Sequence, residues 1–152
     1  MVNMSLKEEL MADLKKAMKE KDKKRKDTIT MVRAAIKQKE VDERVDLKDE
    51  DVLAIISKQV KEKKKSIDEF KKGNRQDLVE ATEAEIEILY DYLPKQLSED
   101  ELKDIVQETI SRLSIHSKKD MGRLMQDIMP RIKGQADGQT INRLAQEFFT
   151  EE

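Results

Sequence analysis

Glycine and proline are scarce in this chain of 152 residues, and their placement constrains the fold more than any other feature. There are four glycines and two prolines. Gly122, Pro130, Gly134 and Gly138 all lie in the last third of the chain. Proline cannot donate a backbone hydrogen bond, and glycine adopts positive φ without steric cost. Pro130, Gly134 and Gly138 therefore predict a shaped connector between two helices in a sequence that is otherwise typical of uninterrupted helix.

The remaining composition favours helix throughout. Charged residues make up 42% and aromatic residues 3% of the chain, whereas strands are enriched in β-branched and aromatic residues. Apolar residues recur at helical spacing, and boxes such as Ser98-Glu99-Asp100-Glu101 are typical of helix starts. We predict an all-α protein with a four-helix subdomain over residues 1–94 and a compact three-helix subdomain over residues 95–152, divided at Pro94.

Seven helices are predicted from periodicity and capping residues. The first four are expected from Ser5 to about Glu20, from Asp22 to about Val41, from the end of a charged connector, Asp42 to Lys48, to a left-handed cap at Gly73, and from about Asn74 to Leu93. The last three are expected to begin after Ser98, Ser117 and Asp137. Gly122 falls inside the sixth helix and is expected to allow close approach of another backbone or a ligand. The stripe Met121, Met125, Met129 fits the core or, alternatively, an adaptable binding surface.

Several classes of protein are excluded or disfavoured. The absence of cysteine excludes disulfides, thiol nucleophiles and thiolate metal sites. No apolar run approaches the roughly 20 residues of a membrane span. The lone His116 with Asp120 is better read as a solvated loop histidine than as a metal ligand. We therefore expect a cytoplasmic protein with no cofactor, no metal and no membrane partner, which is not an enzyme on its own.

Basic residues surround the predicted connector. Arg131 and Lys133 lie on it, Arg123 lies one helix before it, and Arg143 lies one helix after it. With the helix start near Gly138, they could hold one phosphate of RNA. Alternatively, the glycines serve turn geometry and the cations are only solvated. Lysine runs at residues 15–26 and 58–75 have the same two interpretations, solvated face or phosphate contact.

Two motifs resemble a known family. The pattern from Met121-Gly122 through Met129-Pro130 and Lys133-Gly134 to Ala136-Asp137-Gly138, with Tyr92-Leu93-Pro94-Lys95-Gln96-Leu97-Ser98 upstream, is similar to the YqeY family of small bacterial proteins. That family shares its domain with the tail of GatB, the amidotransferase subunit that positions misacylated tRNA. The resemblance extends over essentially the whole chain.

The resemblance implies a non-catalytic tRNA-binding or RNA-binding module with Lys95 as a further contact. Pro94, Gly122, Pro130, Gly134, Asp137 and Gly138 match the family motifs, whereas Gln135 replaces an expected basic residue. The alternative is an accessory component of a glutamine-dependent amidotransferase, a carbon–nitrogen ligase with glutamine as amide donor, acting with partner subunits. GatB's catalytic core is far larger than this chain, so ligase activity is not expected of it alone. A protein-interaction adaptor that uses the acidic stretch 77–91 is a third hypothesis.

Overall fold

A computed structural model describes residues 4–149, and this range contains helices and turns but no strand. The helices are α1 Leu6–Lys19, α2 Lys23–Glu43, α3 Asp49–Lys72, α4 Gln76–Tyr90, α5 Glu99–Leu113, α6 Met121–Arg131 and α7 Gly138–Phe149. A short 3-10 helix, Lys118–Asp120, leads into α6. The prediction of an all-α protein is confirmed. None of the helices within this range is long and apolar enough to cross a membrane.

Local capping explains where most helices begin. In four cases a side-chain oxygen accepts the backbone N–H three residues further on, at 2.9 to 3.2 Å. These caps confirm the predicted residues Ser5, Asp22, Ser98 and Asp137. Each bond satisfies one of the donors that the first turn of a helix leaves without an intrahelical partner.

Three predicted boundaries need correction. Gly73 has φ −88° and does not form the expected left-handed cap, because Asn74 takes that conformation at φ 58°. Asparagine tolerates the left-handed region better than most residues. Helix α4 ends at Tyr90 rather than Leu93, and α6 continues through Pro130 to Arg131. Pro130 lies in the last turn of α6, so the connector between α6 and α7 covers residues 132–137.

Contacts divide the chain into two units between Leu93 and Pro94. In the N-terminal unit, α1 packs along α2 and α3 along α4. Leu10, Val32, Ile56 and Leu89 are fully buried in one shared core. The unit is therefore held by apolar faces that recur at helical spacing on all four helices.

The C-terminal unit has its own core. Leu124 and Ile128 from α6, Ile141 and Leu144 from α7, and Val106 from α5 are fully buried. The stripe Met121, Met125, Met129 is partly buried against this core. The interpretation of the stripe as core is confirmed for these three side chains.

The glycines of this unit serve different purposes. A Cβ at Gly122 would meet nothing within 4 Å, so the predicted close approach of another backbone at Gly122 is wrong. A Cβ at Gly138 would lie 3.6 Å from Met125 Cε, which is ordinary packing. Only Gly134 adopts positive φ, at 75°, and there an L-residue with a side chain would be strained.

Candidate nucleic-acid interface

The connector between α6 and α7 is built around Gly134. The Gln135 N–H donates to the Ile132 carbonyl at 2.8 Å and closes a tight turn. Asp137 then ends the connector, because its Oδ1 accepts the Thr140 N–H at 2.9 Å. The carboxylate of Asp137 therefore occupies the N-terminus of α7. The phosphate expected at this helix start would have to displace a carboxylate of the chain itself.

Three hydrogen bonds join the connector to the segment before α5, and we call them the clasp. The Leu97 N–H donates to the Gln135 carbonyl at 2.9 Å. Gln96 Nε2 donates to the Gly134 carbonyl at 2.6 Å. In the opposite direction, Gln135 Nε2 donates to the Lys95 carbonyl at 3.2 Å. Two irregular segments far apart in sequence are thus fixed side by side.

The clasp brings together two of the five predicted contact residues. Lys95 lies in one of the joined segments and Lys133 lies next to Gly134 in the other. Both lysines are exposed. Gln135, whose amide replaces an expected cation, binds across the clasp with both its backbone and its side chain. Gln135 therefore adds no positive charge to the connector, but its side chain holds the Lys95 backbone in place.

Arg131 is held against α5. Its Nη2 donates to Thr109 Oγ1 at 2.6 Å and lies 2.9 Å from Asp127 Oδ2. Its Nη1 lies 3.6 Å from Glu108 Oε2. Thr109 is completely buried, and its hydroxyl donates to the Ile105 carbonyl at 2.7 Å. The guanidinium of Arg131 is therefore part of the packing between α5 and α6.

Arg112 completes a ring with the same carboxylates. It lies 3.0 Å from Glu108 Oε1 and 2.5 Å from Asp127 Oδ2. The Arg112 guanidinium holds the pKa of the Glu108 carboxyl below its ordinary value, chiefly through their hydrogen bond. Two arginines and two carboxylates thus neutralise each other on this face, and Asp127 is shared by both arginines.

The remaining predicted arginines are also paired. Arg143 forms an ion pair with Glu99, and this hydrogen bond raises the pKa of Arg143. Arg123 Nη2 donates to the Leu113 carbonyl at 2.8 Å, and its Nη1 lies 3.9 Å from Asp120. A guanidinium at the end of α5 satisfies a carbonyl that has no intrahelical partner.

The arginines do not form one cluster. Their contacts on α5 are at Glu99, Glu108 and Leu113, which spread over about 20 Å at a rise of roughly 1.5 Å per residue. The structure therefore brings Lys95 and Lys133 together and distributes Arg123, Arg131 and Arg143 along α5. Gln96 and Thr109 contact this region, and the sequence had not predicted either contact. Gln96 stood in the Leu-Pro-Lys-Gln-Leu motif, whereas nothing marked Thr109.

A second polar site, in the N-terminal unit, was also missed. The Tyr92 hydroxyl donates to Asp13 Oδ2 at 2.5 Å beneath an open cleft of about 490 Å³. Arg25 Nη1 lies 3.3 Å from Asp91 Oδ2 on the same cleft. Burial, and next the bond to Asp13, raises the pKa of Tyr92 well above its ordinary value. Tyr92 is thus kept protonated as a donor and ties α1 to the end of the unit.

Metal-binding groups do not cluster in the part of the chain that the structure describes. No three His, Asp or Glu side chains within residues 4–149 are arranged to hold a metal ion. His116 is exposed in the loop after α5. The clasp contains lysine ammonium groups, which bind anions, and glutamine amide groups, which here donate to backbone carbonyls.

Comparison with known proteins gives the following similarities. Residues 7–149 match the family model described as "Yqey-like protein". The chain is 32% identical over 141 residues, 91% of this chain and 77% of the relative, to "Altered inheritance of mitochondria protein 41, mitochondrial" from Pyrenophora tritici-repentis. Proteins of the same name from Lachancea thermotolerans and Kluyveromyces lactis are 49% and 48% identical over 85 and 84 residues, 55% of this chain in each case. The chain spans about half the length of these two yeast relatives, at 46% and 45%.

The names of these relatives contradict two expectations from the sequence. All three proteins are named as mitochondrial, which corrects the expected cytoplasmic location. All three come from fungi, which corrects the expected bacterial character of the protein's relatives. The location had been inferred from the lack of cysteine and of a membrane span, and neither feature distinguishes the cytoplasm from an organelle. The names mention neither tRNA nor a ligase.

Proposed function

We propose that this chain, which belongs to the YqeY-like protein family, is a non-catalytic module that binds the sugar–phosphate backbone of RNA, with tRNA as the first candidate. We propose a mitochondrial location as well, because the relatives are named as mitochondrial proteins. The shared domain in the tail of GatB, which resembles this chain, supports tRNA as the ligand. The clasp is the observation that carries the proposal.

The clasp suits an anion because its two joined segments carry the exposed residues Lys95 and Lys133 on a fixed backbone. Lys95 and Lys133 are not on helices, where their spacing would follow the helical repeat. Their segments are instead held by bonds of 2.6 to 3.2 Å between backbone and glutamine groups. Holding binding groups in place before the ligand arrives lowers the entropy cost of binding. Few aromatic residues are available for stacking, so contacts to phosphate and sugar are expected rather than base reading.

The direct test is retention of total tRNA on a filter by the purified protein at 50 and 300 mM monovalent salt. The double variant Lys95→Glu, Lys133→Glu should bind tRNA about tenfold or more weakly at the lower salt, because phosphate contacts dominate such affinities. The matched control is Lys118→Glu, Lys119→Glu, which makes the same charge change at two exposed lysines of the same unit. Equal loss in both variants, or none in either, would reject the clasp as the contact.

Arg131 is a poor residue for this test, although the sequence favoured it. Its guanidinium is bound to the buried Thr109 and to Asp127. Reversing its charge would disturb the packing of α5 on α6, so weaker tRNA binding could reflect partial unfolding. The accessory role in an amidotransferase, also implied by the resemblance, stays a prediction. Co-purification of the tagged protein with amidotransferase subunits would support it, and recovery of a lone monomer from a lysate would contradict it.

A further inference from the structure

The turn between α1 and α2 is fixed by its backbone. The Asp22 N–H donates to the Ala17 carbonyl at 2.9 Å and the Lys21 N–H donates to the Met18 carbonyl at 3.3 Å. Asp22 Oδ1 then accepts the Arg25 N–H at 3.2 Å and starts α2. These bonds close α1 and open α2 within three residues. Residues 15–26, which we call the hairpin tip, therefore form a rigid end of a helix pair.

Positive charge is concentrated at the hairpin tip. It holds eight basic residues against Glu20 and Asp22. Of the eight, only Arg25 forms an ion pair within the described residues, with Asp22 at 3.7 Å and Asp91 at 3.3 Å. The other seven are exposed lysines: Lys15, Lys16, Lys19, Lys21, Lys23, Lys24 and Lys26.

Lys21 adds charge at a conformationally unfavourable position. Its φ is 59°, in the left-handed region that glycine occupies most easily. Three other helix ends of the chain place Arg44, Asn74 and Ser114 in the same region. At the hairpin tip the residue in this conformation is Lys21, one of seven exposed lysines. The tip therefore carries a positive charge at a position where glycine would be less strained.

We infer that the hairpin tip is a second binding site for the RNA sugar–phosphate backbone. The inference rests on the proposed function, because it assigns a further surface to the same ligand class. Lysine ammonium groups on long, flexible stems reach phosphates as point charges. No exposed aromatic side chain lies within residues 15–26, so the tip binds RNA regardless of sequence.

A membrane surface is the less suitable ligand for these lysines. Binding in a lipid interface uses a broad apolar face beside the basic one. The tip contains two hydrophobic residues, of which Met18 is 58% exposed and Ala17 is buried. A flat anionic membrane would also approach the carboxylates of Glu20, Asp22 and Asp27 and be repelled by them. One RNA strand needs to contact only a few lysines. The vesicle measurement below separates the two ligands.

The test compares two triple variants in fluorescence anisotropy with labelled tRNA and with poly(U). The tip variant is Lys19→Gln, Lys23→Gln, Lys26→Gln. The matched control is Lys58→Gln, Lys65→Gln, Lys72→Gln, three exposed lysines of α3 in the same unit. At 100 mM salt the tip variant should bind both RNAs about tenfold more weakly, and its slope of log affinity against log salt should be shallower by about 2. The control should stay within about threefold of the wild type.

A single substitution at Lys21 separates a loss of RNA affinity from a loss of stability. Lys21→Gly removes one charge and also relieves the positive φ, so the melting temperature should rise while RNA affinity falls about twofold to threefold. Unchanged or increased affinity in this better-folded variant would contradict the inference.

Each outcome separates the two proposals. If the tip variant loses affinity while Lys95→Glu, Lys133→Glu binds normally, the tip is the binding site and the clasp is not. If the tip variant behaves like its α3 control, the inference fails while the clasp proposal stands. If the wild type binds no RNA even at 50 mM salt, both fail. If the tip variant keeps its RNA affinity but no longer sediments with vesicles of 25% phosphatidylserine, the tip binds lipid and the inference is wrong.

Discussion

Seven lysines surround the α1–α2 turn of the N-terminal unit without an ion pair among the described residues, whereas each arginine of the C-terminal unit is bound to a carboxylate or carbonyl. Those arginines are Arg112, Arg123, Arg131 and Arg143. The planar guanidinium has several fixed donors and suits paired contacts, while an ammonium on a flexible stem stays hydrated. The number of basic residues therefore overstates the positive charge that the C-terminal unit can offer to a ligand.

The difference follows from where the carboxylates lie. In the C-terminal unit, α5 supplies Glu99 and Glu108, and α6 supplies Asp127, each within reach of an arginine on a neighbouring helix. In the N-terminal unit the acidic side chains of α4, such as Glu80 and Glu87, are exposed on that helix, and Glu85 pairs with Lys63 of α3. The N-terminal unit also pairs charges between helices, as Lys7 does with Glu40 and Lys63 with Glu85, but no carboxylate pairs with the seven lysines at the α1–α2 turn among the described residues.

The two units have separate hydrophobic cores, and substitutions in these cores should have the largest effects on stability. Leu124→Ala and Leu89→Ala each empty a fully buried site, so the free energy of unfolding should fall by about 2 to 5 kcal/mol in each case. Hydrogen exchange followed by mass spectrometry should show faster exchange in α5–α7 for Leu124→Ala and in α1–α4 for Leu89→Ala. Equal acceleration in all seven helices for both variants would mean that the two cores unfold as one.

The clasp depends on the left-handed conformation of Gly134, whereas at the hairpin tip a lysine, Lys21, takes that conformation. Gly134→Ala should lower the free energy of unfolding by about 1 to 2 kcal/mol, because φ is 75°. Gly122→Ala is the control, since a Cβ there meets nothing within 4 Å, and alanine should leave stability unchanged or raise it by up to about 1 kcal/mol. Urea denaturation measures both, and equal stability of the two variants would contradict the assigned backbone roles.

A substitution at Tyr92 measures how much a buried polar contact stabilises the N-terminal unit, whose lysines are exposed. Tyr92→Phe removes the hydroxyl that donates to Asp13 at 2.5 Å and should cost about 1 kcal/mol near neutral pH. The pKa of Tyr92 is raised in the folded protein. Its stabilisation is therefore complete below the unfolded-state pKa of about 10 and is lost as pH rises towards the folded-state pKa.

The alkaline loss should be seen as a difference between the two proteins. Above about pH 10, urea denaturation of the wild type should lose roughly 1 kcal/mol per pH unit relative to Tyr92→Phe, so their stabilities converge. Subtracting the variant removes the titration of lysines, which both proteins share. Parallel curves up to pH 11 would contradict a buried, hydrogen-bonded hydroxyl at this position.

The smallest effect is expected from a substitution that removes a carboxylate partner from two paired arginines. Asp127→Asn removes the carboxylate shared by Arg112 and Arg131, while Thr109 still accepts from Arg131. If pairing determines which charges reach RNA, tRNA affinity should rise about twofold to threefold at 50 mM salt, with a small loss of stability. A matched substitution, Asp104→Asn, removes an exposed carboxylate of α5 for which the structure shows no ion pair. Equal gains in the two variants would reduce the effect to net charge.

Helix starts could be read from the sequence because capping is local. Ser98 and Asp137 each cap with a residue three positions away, which a sequence pattern displays directly. Gly73 was misjudged because its neighbour Asn74 competes for the same left-handed position. The expected approach of another backbone at Gly122 was wrong, because a glycine in a helix gives no sign of whether a neighbouring helix lies opposite.

The candidate site was predicted only in part. The motifs marked Lys95 and Lys133, but treating Arg131 and Arg143 as available cations ignored Glu108 and Glu99, which are distant in sequence and close in the fold. Gln135 had counted against binding because it is uncharged. Its amide instead reaches the Lys95 carbonyl 40 residues earlier, a contact that spacing along the chain does not reveal.

By itself the sequence determined that this protein is all helix, which residues start most helices, and which family it belongs to, since periodicity, capping and motifs are properties of neighbouring residues. Only the tertiary structure decided which charges are neutralised and which are presented. Tyr92 meets Asp13 from 79 positions away, and Gln96 meets Gly134 from 38. Such pairs form when helices pack, because burying apolar faces sets the orientation of each helix and so selects its polar neighbours.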